Sequence, residues 1–294
     1  MQAEHYSKQV CLMSLNLPER RTNFVTLFDD TYNQPDCRAY YRMLRSLCYS
    51  NHAHAVPVFR RLLDDLCHKR GLRAPNVLDF ASSYGIVSAL VRHDVSAEAF
   101  LDRYEDPEFD NLTAEELIRR DAAWLADLPE SYRGARFTGI DVAGNAVAYG
   151  HAIGLFDHAF DEDLEHAEPS KGLAETLSSI DLIIECGSVA HLMPAALERL
   201  LRATAGKRPW IVTSPVRGNE RKAAFDLLRD HGLVVETLGR PFPHRRFDSL
   251  SEQARAIDIA RAAGHDTSGF ETTGHFYAQI YVARPPEDAA AVAG

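Results

Sequence analysis

The stretch NVLDFASSYG, residues 76–85, decides the fold of this chain of 294 residues. It opens with a short apolar strand pattern, NVLDF, and runs into IVSALVRH, which has the length and composition of a helix. The small residues between them let the backbone approach a ligand, and free N–H groups at a helix start attract polar groups. The glycine pattern GxGxxG is missing, so a dinucleotide pyrophosphate is poorly provided for. A strand that turns into a helix in this way is the unit of an α/β fold.

The rest of the chain repeats the alternation of strand and helix patterns. Further strands are predicted at RFTGIDV (136–142), HAFDEDL (158–164), DLIIECG (181–187), WIVTSPV (210–216), LVVETL (233–238) and HFYAQIYVARP (275–285). Helix-length patterns between most of them predict a parallel sheet. The connection 239–274 carries only one clear helix, at about 249–263, so the last strand is expected to run antiparallel. The predicted fold class is therefore α/β, with a seven-stranded, mostly parallel sheet.

The chain is expected to contain one main domain with additions. Residues before Gly71 contain no clear buried strand, and HAVPVFRRLLDDLCHKR reads as an amphipathic helix that Gly71 ends. Thr113 and Glu116 make a capping box for a later helix. The predicted division is an N-terminal helical lid (1–71), the main domain (72–286) with a helical insertion (94–135), and an alanine-rich tail (287–294) expected to fray.

Composition excludes several classes of function. A net charge of −10, with no long cluster of Lys and Arg, argues against a nucleic-acid partner. No apolar stretch approaches the roughly 20 residues that cross a bilayer, and the N-terminus lacks a signal-peptide pattern. The five cysteines include no CxxC pair, so neither zinc nor a disulfide framework is indicated. We expect a cytoplasmic, metal-free protein without a membrane partner, and the sequence leaves a homodimer open.

Acidic residues stand at the first two strand ends, where α/β sheets bind ligands. Asp79 follows the first apolar pair and is able to accept from a ligand ammonium or from the N–H groups of the next helix. Asp141 ends the second strand, and its two oxygens suit the two hydroxyls of a ribose. A carboxylate that merely caps the following helix is the alternative for Asp141.

The residues that follow the third and fourth predicted strands are less specific for a ligand. The loop that ends in Asp163 and Leu164 is suited to an adenine amino group. An acidic loop that is simply exposed to solvent would have the same sequence pattern. Gly187 and Ser188 are small and leave room for a ligand. His191 stands where a general base is able to act on an acceptor, with a helix-cap role as the alternative.

Taken in order, these motifs resemble those of the class I S-adenosylmethionine (SAM)-dependent methyltransferases that act on small molecules. DFASSYG resembles motif I, GIDV the acidic strand after it, FDEDL motif II and DLIIECGS motif IV, and the resemblance covers roughly residues 72–285. Motif I departs from the pattern because it lacks two of its usual glycines. Asp141 lies 62 positions after Asp79, a longer spacing than usual, because residues 94–135 are inserted.

The resemblance implies a Rossmann-like sheet with an antiparallel last strand and a bound SAM. It places Asp79 near the methionine amino group, Ala81, Ser82, Tyr84 and Gly85 in the binding loop, and Asp141 on the ribose, with Val142 as a further cofactor-binding residue. It places Asp163 and Leu164 near the adenine, and Gly187 and Ser188 at the methionine and methyl end. The lid and the insertion would cover the pocket. Because a sulfonium is attracted to an aromatic face, we expect an aromatic cap with Tyr6 and Tyr84 as candidate catalytic residues beside His191. The other tyrosines of the cap are Tyr32, Tyr40, Tyr41 and Tyr49.

The predicted reaction is methyl transfer from SAM to a small-molecule acceptor in bacterial specialised metabolism. Arg217, expected at the surface, and the run His244, Arg245, Arg246 are candidates for holding an acceptor carboxylate. Three other histidines, His52, His54 and His68, are expected in solvent.

Other uses of SAM stay open. The chain is also similar to methyltransferase-like proteins of nonribosomal peptide pathways, some of which are azetidine-2-carboxylic acid synthases. In these SAM is the only substrate and methylthioadenosine leaves. A SAM-binding module without catalysis is a third hypothesis, while the missing glycine pattern disfavours an NAD enzyme.

Overall fold

The computed structural model describes residues 29–186 and 194–289, with side chains from residue 31 onward. Its helices are α1 Asp29–Tyr32, α2 Arg38–Ser46, α3 Asn51–Arg70, α4 Ile86–Arg92, α5 Ala97–Asp102, α6 Ala114–Asp127, α7 Gly144–Ala152, α8 Lys171–Leu177, α9 Pro194–Thr204, α10 Lys222–Asp230 and α11 Leu250–Ala262. Its strands are β1 Asn76–Phe80, β2 Arg136–Ile140, β3 His158–Phe160, β4 Leu182–Glu185, β5 Trp210–Thr213, β6 Val234–Arg246 and β7 His275–Arg284. None of the helices described here has the length and apolar character to cross a membrane.

The described strands form one seven-stranded sheet in the order β3-β2-β1-β4-β5-β7-β6. Neighbouring strands are parallel except where β7 pairs with β5 and β6. The predicted fold class and its antiparallel last strand are thus confirmed. The chain moves outward from β1 to β3 and then returns to place β4 on the other side of β1. The strand order therefore reverses between β1 and β4, which is the point where such sheets bind ligands.

Alternating residues of the central strands supply two separate cores, one on each face of the sheet. Val77, Leu182 and Val212 belong to the core beneath α2, α3 and α4. Leu78 and Ile183 belong to the other core, which lies against α8, α9 and α10. Each fully buried side chain of this kind contributes roughly 1.5–3 kcal/mol. The two cores fix the position of the sheet edge that carries the site.

Strand β6 is longer than its sequence pattern indicates. It was expected to end at Leu238, since a glycine and two prolines follow, but it continues to Arg246. The pairing with β7 shifts between Leu238 and Phe242 and again between Pro243 and Arg245, and these irregularities accommodate the prolines. The extra length carries β6 to the start of the N-terminal helices.

The predicted helix signals near the lid and the insertion are present. Gly71 ends α3 in the left-handed conformation, with φ of 64°. The Thr113 Oγ1 atom accepts from the Glu116 backbone N–H at 3.2 Å, and the Glu116 carboxylate accepts from the Thr113 N–H at 2.8 Å. These local signals depend on neighbouring residues only, which explains why the sequence predicts them well.

The insertion supports the lid helix α2. The Arg42 Nε atom donates to the Tyr104 carbonyl at 2.7 Å. Below it, the fully buried Asp121 accepts hydrogen bonds from the hydroxyls of Tyr104 at 2.8 Å and Tyr149 at 2.5 Å. The insertion is therefore tied both to the lid and to α7 of the main domain.

The beginning of the predicted frayed tail is anchored instead. Asp288 accepts from the Trp210 indole at 2.8 Å and from Arg70 at 2.6 Å, and Glu287 pairs with Arg208 at 2.6 Å. The prediction of fraying rested on the alanines of the tail and did not consider the ion pairs that Glu287 and Asp288 form. Residues 290–294 lie outside the described part of the chain.

Candidate functional site

The loop after β1 has an unusual backbone. Ala81, Ser83 and Gly85 all have positive φ, at 55°, 52° and 86°. A non-glycine residue in this conformation costs about 1–2 kcal/mol, and such strain concentrates at ligand sites. The loop thus keeps, at Ala81 and Ser83, a conformation that glycine adopts most readily. Left-handed backbone is therefore present at two positions of this loop although neither residue is a glycine.

Asp79 is almost fully buried beneath this loop. Its Oδ2 atom accepts from the Ser88 N–H at 3.2 Å and from the Ser88 hydroxyl at 2.7 Å. Burial raises the pKa of Asp79 to about 8, and the hydrogen bonds from Ser88 oppose that rise. Of the two roles considered for Asp79, the structure shows the bond to the helix start. A cation placed nearby would favour its charged form.

Asp141 joins the exits of β1 and β2. Its Oδ2 atom accepts from the Ser83 N–H at 2.8 Å and the Tyr32 hydroxyl at 2.7 Å, and its Oδ1 atom accepts from the Ala143 N–H at 2.9 Å. The side chain is 5% exposed, and burial raises its pKa although these bonds oppose the shift. An ionised carboxylate offers about four acceptor positions, so three are in use.

Hydrogen bonds also bring the neighbouring strand ends together. The Ser82 N–H donates to the Ile140 carbonyl at 3.0 Å, and the Asp141 N–H donates to the Phe160 carbonyl at 3.1 Å. The ends of β1, β2 and β3 therefore meet at Asp141. Val142 follows directly and is 67% exposed, so it offers an uncovered apolar surface beside the carboxylate.

The loop after β3 differs from the prediction in one respect. The Leu164 side chain is buried in the core with Leu78 and Ile140, so it does not face an adenine position. The apolar side chain of Leu164 is typical of a core residue. Asp163 accepts from the Glu165 N–H at 2.9 Å and lies 2.7 Å from His166 Nδ1. These three polar side chains are close enough to hold a cation, although exposed acidic groups often lie together without one.

A short segment, residues 32–34, crosses the site and is here called the strap. The Tyr32 hydroxyl binds Asp141, as described above, and the Asn33 side chain accepts from the Asn145 N–H at 2.9 Å. The Gln34 N–H donates to the Tyr84 hydroxyl at 2.9 Å. The strap thus bonds to Asp141 after β2, to the first turn of α7 and to Tyr84 after β1.

Tyr84 holds the strap and does not face a ligand. It is fully buried, and its hydroxyl also donates to the Gln34 carbonyl at 2.9 Å. The prediction of Tyr84 as a catalytic and SAM-binding residue is therefore corrected. Its place in the loop suggested a role at the pocket, but its ring packs inward against Tyr40, Tyr41 and Tyr149.

Two of the tyrosines predicted for an aromatic cap, Tyr32 and Tyr40, contact each other near the strand ends. The rings of Tyr32 and Tyr40 meet edge to face, with centroids 5.2 Å apart, next to Asp141. Tyr41 is fully buried and belongs to the core. Tyr6 lies outside the described residues.

The exits of β4 and β5 complete the site. The Thr213 hydroxyl donates to the Glu185 carboxylate, and the Ser214 hydroxyl lies 3.5 Å from the Cys186 thiol. Burial raises the pKa of Cys186, so the thiol is protonated at neutral pH. The predicted residues Gly187, Ser188 and His191 lie outside the described part of the chain.

Two of the three arginines proposed for an acceptor carboxylate, Arg217 and Arg245, are already paired. Arg217 is 5% exposed and lies 3.2 Å from Glu271, so the expectation of surface exposure is wrong. Arg245 lies 2.7 Å from the buried Glu252. Neither guanidinium therefore offers an unpaired charge to a ligand.

The sequence also misplaced one histidine. His54 and His68 are exposed as expected, but His52 is 4% exposed and His244 is 7% exposed. The long β6 strand covers His52, and its length was not apparent from the sequence. His52 is therefore the histidine that the sequence reasoning wrongly placed in solvent, whereas His244 was already among the candidate residues.

Two observations decide the fold: the seven-stranded sheet with an antiparallel last strand, and an acidic residue at the end of β2 that binds the loop after β1. The chain has the class I methyltransferase fold. In this fold the β1–β4 switch point coincides with the loop 81–85 and Asp141.

Comparison with known proteins adds structures of the same kind. No protein-family model and no curated protein sequence match the chain. A TehB-like SAM-dependent methyltransferase from Corynebacterium glutamicum is 15% identical, with 82% of this chain and 95% of that chain covered and a TM-score of 0.40. The plantazolicin methyltransferase BamL is 12% identical, with 83% and 89% covered and a TM-score of 0.42. A SAM-dependent methyltransferase from Aquifex aeolicus is 12% identical, with 84% and 98% covered and a TM-score of 0.37. The strand order decides the methyltransferase fold independently of these matches.

Proposed function

We propose that this protein binds SAM and transfers its methyl group to a small-molecule acceptor. The observation that carries the proposal is Asp141, a buried carboxylate at the end of β2 that bonds to a strained loop at the switch point. Two carboxylate oxygens at this position suit the two hydroxyls of a ribose. The exposed Val142 beside it suits the flat face of an adenine.

The remaining residues support methyl transfer by position and environment. SAM supplies a methyl group on a positively charged sulfur, and the acceptor displaces that sulfur as a neutral thioether. The rings of Tyr32 and Tyr40 offer aromatic faces that attract a sulfonium. The strap lies across the strand ends, where it would limit the access of water to bound SAM. Asp79 would carry its negative charge once the ligand ammonium approaches.

The test is to incubate the pure protein with SAM and identify the sulfur-containing product by mass spectrometry. With SAM alone we expect no product above the control without enzyme. With a fractionated mixture of small bacterial metabolites we expect S-adenosylhomocysteine and a metabolite whose mass has increased by one methylene. Failure of SAM to bind in calorimetry would contradict the proposal directly.

A second outcome would identify the alternative reaction. If SAM alone yields methylthioadenosine, the amino group of SAM has attacked its own γ-carbon or the molecule has been cleaved. That result would replace methyl transfer with SAM cyclisation to azetidine-2-carboxylic acid or with lysis. The tyrosine pair serves a sulfonium in both reactions, so product identity is the observation that separates them.

Removing the Tyr32 hydroxyl is expected to strengthen SAM binding. The Tyr32 hydroxyl, Ser83 N–H and Ala143 N–H fill three acceptor positions of Asp141, and a ribose would bring two more donors. Tyr32 belongs to a four-residue helix and is the donor that is able to leave. We expect Tyr32→Phe to tighten the Kd for SAM about three- to tenfold in calorimetry, since one hydrogen bond to a charged group no longer has to be broken.

The matched control is Tyr132→Phe. Its hydroxyl donates to the Arg60 carbonyl at 3.0 Å, away from the strand ends, so the same chemical change there should leave SAM affinity unaltered. Weaker SAM binding in Tyr32→Phe would contradict the competition and would show that the phenol contacts the ligand.

A further inference from the structure

A buried polar cluster lies where β6 meets the start of α3. It consists of Tyr49, Asn51, His52 and His244 and is here called the histidine cluster. Asn51 is fully buried, and His52 and His244 are 4% and 7% exposed. The backbone joins the two segments tightly, because the Ser50 N–H donates to the His244 carbonyl at 2.7 Å. The cluster is therefore a fixed part of the fold.

The side chains of the cluster surround one phenol ring. The Tyr49 ring centroid lies 4.7 Å from that of His52 and 4.6 Å from that of His244. The Asn51 Nδ2 atom lies 3.4 Å from the Tyr49 hydroxyl, a long hydrogen bond. Both imidazoles thus pack on the same aromatic residue, and the Asn51 amide lies beside them.

Three polar atoms of the cluster have no hydrogen-bond partner in the described part of the chain. They are Asn51 Oδ1, His52 Nδ1 and His244 Nδ1. An unpaired buried polar atom costs about 1–3 kcal/mol, so most proteins leave few of them. Three such atoms within a single cluster form a set of acceptors that a bound hydrogen-bond donor would satisfy.

The cluster carries no net charge at neutral pH. Burial lowers the pKa of His52 to about 3. Burial also lowers the pKa of His244 well below its usual value, and the neighbouring Arg245 and His52 add to the effect. The Arg245 charge is balanced by Glu252 at 2.7 Å. The cluster thus offers neutral nitrogen and oxygen atoms and no counter-charge for an ionic ligand.

The cluster adjoins the proposed SAM site through Tyr49. Tyr49 packs against the same hydrophobic core as Tyr40 and Cys186, and burial together with these two groups raises the pKa of Tyr49. Cys186 ends β4, and Tyr40 contacts Tyr32 on Asp141. Tyr49 therefore stands between the histidine cluster and the strand ends.

We propose that the histidine cluster binds the second substrate, an uncharged molecule that presents a hydroxyl or amine hydrogen to the unpaired atoms of Asn51, His52 and His244. This inference rests on the proposed function, because it supplies the acceptor for the methyl group. When the acceptor oxygen or nitrogen forms its bond to the methyl carbon, the carbon–sulfur bond breaks and its electron pair stays on sulfur. The hydrogen leaves the acceptor as a proton, which solvent water takes up.

The first test uses phenol as a probe, because it is uncharged, fits against aromatic rings and has one hydroxyl donor. Toluene lacks the donor and benzoate carries a charge, so they are the matched controls. With histidine labelled by ¹³C, phenol should shift the ring signals of His52 and His244 and leave that of the exposed His68 unchanged. The signals are assigned with His52→Phe, His244→Phe and His68→Gln. The proposal is overturned if phenol moves neither signal, or if toluene or benzoate moves them as strongly.

The second test measures the same two phenylalanine variants. Phenylalanine keeps the ring contact with Tyr49 and removes an unpaired nitrogen, so we expect each variant to melt higher, by roughly 2 °C. The Kd for SAM should stay within about twofold of the unaltered protein, because the cluster lies outside the nucleoside site. A lower melting temperature would show that the histidines stabilise the fold, and a tenfold weaker Kd for SAM would place them in the SAM site. Either result overturns the inference.

The two proposals fail separately. If the unaltered protein does not bind SAM, the proposed function fails whatever phenol does. If SAM binds and phenol leaves both histidine signals in place, only the histidine cluster loses its assigned role.

Discussion

Replacing Asp141 with asparagine is expected to weaken SAM binding by about 100-fold or more. The carboxylate is the acceptor proposed for both ribose hydroxyls, and a hydrogen bond to a charged group contributes about 1.5–3 kcal/mol. Asparagine keeps one oxygen and places an N–H₂ group opposite the N–H of Ser83 or Ala143, so it also loosens the loop. The measurement is the Kd for SAM by calorimetry, with thermal unfolding to show that the fold persists.

Asp226→Asn provides the control for this experiment. Asp226 lies at the surface on α10, where it pairs with Lys222 and Arg229, so it carries the same chemical change away from the site. Its affinity for SAM should match that of the unaltered protein. Unchanged affinity in Asp141→Asn would show that the ribose lies elsewhere, and the proposed function would lose its main support.

Replacing Gly139 with alanine is expected to lower the free energy of unfolding by about 3 kcal/mol. A Cβ atom at Gly139 would lie 2.6 Å from the Phe156 ring, closer than packed atoms approach. The Phe156 ring cannot move away from the added methyl group, because it also packs closely against two other glycines. Cβ atoms at Gly150 and Gly85 would lie 2.4 Å and 3.0 Å from the ring. Gly139 lies in β2 between β1 and β3, so the backbone there cannot move aside. Urea unfolding followed by circular dichroism measures the loss.

Two further variants make this prediction specific to the Phe156 ring. Gly206→Ala adds the same methyl group where no atom lies within 4 Å, so its stability should stay within about 0.5 kcal/mol of the unaltered protein. Adding Phe156→Leu to Gly139→Ala should restore part of the lost stability, because the two residues contact each other and their effects do not add. Equal losses in Gly139→Ala and Gly206→Ala would contradict the steric explanation.

The sequence predicts the sheet and the position of Asp141 because both follow from local patterns. Each strand is a short apolar run, and Asp141 is the residue after one of them. The parallel order then brings strand ends together whatever the loops between them contain. For this reason the insertion at 94–135 did not disturb the prediction, although it lies between Asp79 and Asp141.

The parts that sequence reasoning missed depend on contacts between distant residues. Tyr32 and Asp141 are 109 positions apart, and no pattern links them. The histidine cluster joins residues 49–52 to His244 through a strand that crosses a glycine and two prolines, which ordinarily mark the end of a strand. The strict alternation of apolar residues in β7 is the sequence signal that could have revealed the extension of β6. A strand as long as β7 needs a partner strand of similar length.

The strap determines the resting state of the protein. With Tyr32 on Asp141, the ground state is a self-capped one in which the protein's own phenol stands in for a ligand hydroxyl. If SAM binds at Asp141 as proposed, it binds only the fraction of molecules in which the Tyr32 hydroxyl has left the carboxylate, so the observed affinity is the intrinsic affinity multiplied by that fraction. Under that proposal, the free energy of the hydrogen bond between Tyr32 and Asp141 is subtracted from the free energy of SAM binding.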